Sequence, residues 1–143
     1  MVIWFDMDGT FVDLYGVENW CRDLTNKVVT PYVIAKPLLN MNSFAKCLNT
    51  LKRKGYKIGI ISWLARNSTA EYDKEVTQAK LNWLHTHLKS VEFDYIDIVP
   101  YGTPKHENRK GFLFDDDFDN RKSWGEDIAF DPVDMLSLLR LLY

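Results

Sequence analysis

Short apolar runs, several of which end in an acid or a serine, constrain the fold of this chain more than any other feature. Val2 to Phe5 leads into Asp6, and the run after Gly111 leads into Asp115. Runs of this length are typical of buried parallel strands. Five segments are therefore predicted to be strands, at residues 2–5, 56–62, 95–99, 111–114 and 127–130.

Helical patterns lie between these segments. Phe44, Cys47, Leu48 and Leu51 share one face of a helix that should start at Asn42 or Ser43 and end at Lys54. Further helices are predicted at residues 17–24, 70–88 and 132–143, and residues 28–42 are predicted to be an irregular insert. Strands that alternate with helices predict an α/β fold with a parallel sheet of about five strands. Polar side chains at the strand ends should then meet at one edge, where such sheets bind ligands.

Length and composition limit the possible classes of protein. A chain of 143 residues, 46% of them hydrophobic, suits a single domain over residues 1–143 with a small insert at about residues 14–42. The net charge of −2 gives no general attraction to nucleic acid, which remains possible only at a local site and is not favoured. We find no signal peptide, membrane span or cysteine metal motif, and we expect a cytoplasmic protein that does not bind membranes. The sequence does not predict an oligomeric state.

Two acidic clusters are the candidate chemical centre. Asp6 and Asp8 lie two residues apart after the first strand, and Asp115, Asp116 and Asp117 follow a later one. Such hard oxygen donors suit Mg²⁺, and a carboxylate can also act as a nucleophile. Each cluster alone is more often a turn or a solvated loop, and only their joint order and context favour chemistry.

These segments together resemble the motifs of the haloacid dehalogenase superfamily of phosphatases, in the expected order and over nearly the whole chain. Val-Ile-Trp-Phe-Asp6-Met-Asp8-Gly-Thr resembles the first motif, and Ile-Ile-Ser62 resembles the second. Gly-Thr-Pro-Lys105-His resembles the third, for which Lys110 is an alternative, and Phe-Leu-Phe-Asp115-Asp116 resembles the fourth. The short first motif and the small insert are most similar to the 5′(3′)-nucleotidase branch.

The resemblance implies a Rossmann-like three-layer sandwich with a minimal helical cap, and a Mg²⁺-dependent phosphatase acting through an aspartyl-phosphate. Asp6 would be the nucleophile, and Asp8 the acid and then the base. Ser62 and Lys105 would hold phosphoryl oxygens. Mg²⁺ would be bound by Asp6, the backbone carbonyl of Asp8, and Asp116, with Asp115 behind them or acting through water. Asp117 and Asp119 are alternatives to Asp116 as metal ligands.

The substrate should be a small phosphate ester, with a nucleotide favoured because aromatic residues stand beside the catalytic positions. Residues expected to contact it are Thr10, Phe11, Trp63, Arg66 and His106, with Asp13, Tyr15 and Trp20 as further lining candidates. Two alternatives stay open. An open site would also admit nucleic-acid ends or phosphoproteins, and the chain could be a catalytically silent binding module.

Overall fold

The computed structural model describes residues 1–143 and has an α/β architecture. Its strands are β1 (Val2–Phe5), β2 (Val12–Asp13), β3 (Lys36–Pro37), β4 (Lys57–Trp63), β5 (Tyr95–Val99), β6 (Phe112–Phe114) and β7 (Ala129–Phe130). Its helices are α1 (Trp20–Thr25), α2 (Thr30–Ile34), α3 (Met41–Arg53), α4 (Ala70–His87), α5 (Phe118–Trp124) and α6 (Met135–Arg140), and a 3₁₀ turn at Pro132–Asp134 precedes α6.

Five of the strands form a parallel sheet in the order β5-β4-β1-β6-β7. Strand β1 is central, and its Ile3 lies beside Ile58 of β4 and Phe112 of β6. From β1 the chain moves outward through β4 to β5, then returns to the other side of β1 as β6 and β7. The order in which strands are added to the sheet therefore reverses next to β1, and open α/β sheets form ligand crevices at such points.

Helices cover both faces of the sheet, which confirms the predicted three-layer sandwich. On one face, Ile3 and Phe5 of β1 pack with apolar residues of α3, α4 and α6 in the largest core cluster. On the other, Trp4 packs with Leu113 of β6 and Trp124 of α5. Alternate β1 residues thus face opposite layers, as the two-residue period of a strand requires.

The insert between β2 and α3 is small but more regular than predicted. It contains α1, α2 and the short β2–β3 ladder. Tyr32 of α2 packs with Leu14 and with Tyr72 and Val76 of α4 in a second apolar cluster, which fixes the insert above the carboxyl edge of the sheet. The helix predicted at residues 17–24 was expected to direct Trp20, Cys21 and Leu24 inward. In the structure α1 has no fully buried residue, Cys21 is exposed, and Leu24 packs against the second cluster.

Side-chain capping explains two other departures from the predicted elements. Asn40 caps α3 by accepting from the Ser43 N–H, so this helix starts earlier than Asn42 or Ser43 would place it. Asp117 caps α5, which the sequence analysis missed, by accepting from the Asn120 N–H. No helix combines the length and apolar character needed to cross a lipid bilayer.

Candidate active site

The candidate site lies where the central strands end. Asp6 directly follows β1 and Asp115 directly follows β6, and the Asp6 N–H donates to the Phe114 carbonyl at 2.9 Å. The Met7 carbonyl accepts from the N–H groups of Thr10, Phe11 and Val12, which folds the chain back on itself after β1. Met7 is buried in the core, while Asp6 and Asp8 on either side of it line one cavity.

Asp6 is a buried carboxylate with a partner on each oxygen. Its Oδ1 accepts from Lys105 Nζ at 2.9 Å, and its Oδ2 accepts from the Thr10 hydroxyl at 3.1 Å. These bonds fix the orientation of the carboxylate, yet lone pairs remain on both oxygens. Asp6 is therefore held rigidly and can still act as a nucleophile or a metal ligand.

Lys105 is buried between the two acidic clusters. Its Nζ donates to Asp6 at 2.9 Å and to Asp115 Oδ2 at 2.7 Å. Although burial alone would lower the pKa of Lys105, the Asp6 and Asp115 carboxylates raise it, so the side chain is an ammonium. An ammonium has three N–H donors, so one remains for a further acceptor. Lys110 instead lies at the start of β6, where its carbonyl accepts from the Trp4 indole.

A second buried lysine, Lys80 of α4, holds Asp8, and the sequence analysis did not find it. Its Nζ donates to Asp8 Oδ2 at 2.8 Å, to Ser62 Oγ at 2.6 Å and to the Trp63 carbonyl at 2.8 Å. All three donors are used, so Lys80 positions its neighbours and has none left for a ligand. The sequence does contain a sign that Lys80 is buried, because Lys80 follows Val76 by four residues on the otherwise apolar face of the helix.

Ser62 is fully buried beneath the cavity and does not line it. Its hydroxyl accepts the hydrogen bond from Lys80, because the last residues of β4 run under α4. The expected contact between the Ser62 side chain and a phosphoryl group is therefore absent from this geometry, and the residue instead helps Lys80 to hold Asp8.

Asp6, Asp115 and Asp116 could hold a metal ion, since they each offer a carboxylate oxygen and these atoms all lie within 4.8 Å of one another. Asp115 is engaged on both oxygens, by Lys105 and Asn120 on one and by the Asp117 N–H on the other. Asp116 has only the Thr10 hydroxyl at 3.4 Å, and it shares the single proton of that hydroxyl with Asp6. A hard cation such as Mg²⁺ fits this donor set, with Asp6 and Asp116 as the carboxylates best able to reach it.

The electrostatics of the cluster favour a cation at this point. Burial, and then the nearby Asp6 carboxylate, raise the pKa of both Asp115 and Asp116. Burial also raises the pKa of Asp8, although Lys80 opposes this effect. Two lysines thus face four carboxylates, and the excess negative charge is concentrated beside Asp116.

Above these acids is a cavity of about 510 Å³. Its floor contains Asp6, Asp8 and Lys105, and its walls come from the insert and from the loops after β4 and β5. Four predicted lining residues are present in these walls, namely Tyr15, Trp20, Trp63 and Arg66, and the structure adds Tyr32, Lys27 and Tyr101. The walls combine aromatic side chains with aliphatic and polar ones, and the floor is charged.

Four predicted contact residues lie elsewhere. Phe11 is fully buried and packs against Phe44 and Trp83, because the turn after β1 directs it into the core. Thr10 is buried and bonded to Asp6, and it borders a separate groove on the other side of Asp116. His106 is exposed and outside the cavity, since the turn that buries Lys105 directs its neighbour outward. Asp13 is also outside it and accepts from the Gly16 N–H.

Trp63 is in the wall, but it is not a free stacking surface. Its indole N–H donates to the Thr103 carbonyl at 2.8 Å, and its ring lies 5.2 Å from Lys105 Nζ and 4.9 Å from the Tyr101 ring. The indole therefore covers Lys105 and limits its contact with solvent.

Comparison with known proteins gives no family for this chain: no family model matches it, and no curated protein matches it.

Proposed function

We propose that this protein is a Mg²⁺-dependent phosphomonoesterase that forms an aspartyl-phosphate on Asp6. One observation carries the proposal. Asp6 and Asp8 face the same cavity, and each is held by its own buried lysine. Lys105 keeps one donor for a substrate, whereas Lys80 keeps none. Asp6 can thus act as a nucleophile beside Lys105, which can bind an anion. Asp8 is a separate carboxyl that can exchange protons.

The proposed reaction has two steps. An oxygen of Asp6 attacks phosphorus and the bond from phosphorus to the leaving oxygen breaks, while that oxygen takes a proton from Asp8. Water then attacks phosphorus, gives a proton back to Asp8 and breaks the bond to Asp6. Inorganic phosphate leaves, and both carboxyl groups return to their initial states.

Lys105 has two roles in this scheme. Its bond to Asp6 fixes the direction of attack, and its third N–H stabilises negative charge on the transferring group. Asp6 and Asp116 would hold Mg²⁺, with Asp115 oriented behind them by Lys105 and Asn120. When bound, the ion would neutralise charge on the phosphoryl oxygens. The expected participation of Asp8 through its backbone carbonyl remains part of the proposal.

We place the substrate among small phosphate esters, with nucleotides favoured. A cavity of about 510 Å³ lies within the size range of small-molecule sites. Its aromatic walls suit a planar or sugar-like leaving group, and its charged floor suits a phosphate. Both cysteines are free thiols, which fits the cytoplasmic location that we also propose.

The test is hydrolysis of phenyl phosphate and of a nucleoside 5′-monophosphate, with Mg²⁺ present or removed by a chelator. We expect Mg²⁺-dependent release of phosphate by the natural protein and none by Asp6→Asn. Asp119→Asn is the matched control, because Asp119 is exposed on α5 and makes no side-chain contact with the site. No hydrolysis of either ester by the folded protein would refute the proposal and favour a silent binding module.

A further inference from the structure

Tyr32 is an almost fully buried tyrosine in the wall of the cavity. It belongs to α2 of the insert, and only 4% of its surface is exposed. Its ring lies 5.3 Å from Lys80 Nζ, the ammonium that holds Asp8. Tyr32 therefore stands on the Asp8 side of the cavity, away from Asp115 and its hydrogen bond with Lys105.

The Tyr32 hydroxyl has no hydrogen-bond partner within the chain, although buried phenols usually find one. Asp73 Oδ1 is the only side-chain oxygen or nitrogen that is both sealed from solvent and unpaired. Because the unpaired Tyr32 hydroxyl is not among such sealed atoms, it must reach open space. The cavity is the open space that Tyr32 lines. Tyr72, in the same apolar cluster, differs, because its hydroxyl donates to the Val28 carbonyl at 2.9 Å.

The Tyr32 hydroxyl keeps its proton under ordinary conditions and can act as a hydrogen-bond donor. Burial, and then the Asp8 carboxylate, raise the pKa of Tyr32 above its usual range. A neutral phenol near the cavity floor can donate to an uncharged or a charged oxygen.

The geometry points to Tyr32 as the residue that recognises the leaving group, by donating a hydrogen bond to an oxygen other than the ester oxygen. This inference rests on the proposed function. Lys105 would donate to a phosphoryl oxygen on one side of the cavity, whereas the ester oxygen must approach Asp8 to receive a proton. The part of the leaving group next to the ester oxygen would then lie beside Tyr32. Phosphate esters of sugars, including nucleotides, carry hydroxyl or ring oxygens at that point, and simple aryl esters do not.

The experiment compares Tyr32→Phe with the natural protein on ribose 5-phosphate and on phenyl phosphate. Loss of one uncharged hydrogen bond should lower kcat/KM for ribose 5-phosphate by about 3- to 10-fold. The value for phenyl phosphate should change by less than about 2-fold, since this ester has no second oxygen in its leaving group. Tyr72→Phe is the matched control, because its hydroxyl is outside the cavity; it should affect both esters equally.

The outcomes separate this inference from the proposed function. If phenyl phosphate is hydrolysed in an Asp6-dependent way but Tyr32→Phe affects both esters equally, or neither, the role of Tyr32 is refuted and the phosphatase proposal stands. If the folded natural protein hydrolyses neither ester, both fail. A selective loss on ribose 5-phosphate with Tyr72→Phe, and not with Tyr32→Phe, would also overturn the assignment.

Discussion

Gly9 offers a test of the acidic cluster that separates activity from stability. Its φ is +83°, and a Cβ at this position would lie 2.3 Å from Asp116 Oδ2 and 2.9 Å from Tyr15 Cε2. The first distance is more than about 1 Å short of an ordinary van der Waals contact. In Gly9→Ala the Asp116 carboxylate must therefore leave its present position beside the other two acids.

Gly55 provides the matched control. Its φ is +100°, and a Cβ there would meet nothing within 4 Å, because Gly55 follows α3 at the opposite edge of the sheet. Gly55→Ala should lose about 1–2 kcal/mol of unfolding free energy, the usual penalty of a left-handed alanine. Gly9→Ala should lose at least as much, because its Cβ must also displace Asp116. Only Gly9→Ala moves a group of the site. A displacement of about 1 Å can reduce turnover by roughly 100-fold, and we expect a loss of that order.

Chemical denaturation gives the two stabilities, and steady-state hydrolysis of phenyl phosphate with a titration of Mg²⁺ gives the activities. We expect both variants to lose stability, Gly9→Ala at least as much as Gly55→Ala, but a loss of turnover and a weaker response to Mg²⁺ for Gly9→Ala alone. Normal turnover by Gly9→Ala, or an equal loss in Gly55→Ala, would refute the reasoning that the position of Asp116 matters.

Three further substitutions test the charged groups. Replacing Lys80 by Met should cost about 1–3 kcal/mol of stability by leaving its carboxylate partner unpaired, and should lower kcat; an unchanged kcat would remove its positioning role. Asp116→Asn should stabilise the metal-free protein in a thermal melt and abolish the rise in Tm caused by Mg²⁺, while Asp117→Asn keeps that rise; the reverse pattern would transfer the metal role to Asp117. Lys105→Ala should lower kcat/KM with a loss of about 2–4 kcal/mol in transition-state stabilisation, and Lys110→Ala should change it little; a crippled Lys110→Ala beside an active Lys105→Ala would reverse this assignment.

The parts of the site that sequence predicts best are those fixed by strand ends. Asp6 and Asp115 come directly after β1 and β6, and neighbouring parallel strands bring their carboxyl ends together whatever the loops do. The sheet and its main helices were predictable for a similar reason, because hydrophobic periodicity is a local property of the sequence. Short α2 and α5 were not, since helices of this length depend on caps and tertiary packing.

The remaining site residues depend on how helices rotate and on the path of turns. Lys80 reaches Asp8 only because α4 crosses the end of β4 with its Lys80 side facing Ser62 and Asp8. No local sequence pattern specifies how the helix crosses the strand. Phe11 and His106 are adjacent to important residues in sequence, yet their turns send one into the core and the other into solvent. Proximity along the chain therefore misled the substrate-contact prediction for both.

The central claim is that Asp6 carries the phosphoryl group. It is tested most directly by mixing the protein with Mg²⁺ and a ³²P-labelled phosphate ester and quenching in acid within milliseconds to detect protein-bound ³²P. A parallel unlabelled sample is reduced with tritiated borohydride, which releases the phosphate and leaves tritium on the modified side chain for peptide mapping. We predict an acid-stable, base-labile label that maps to Asp6 and is absent from Asp6→Asn. A label on another residue, or single-turnover hydrolysis with no labelled protein at any time, would contradict the mechanism.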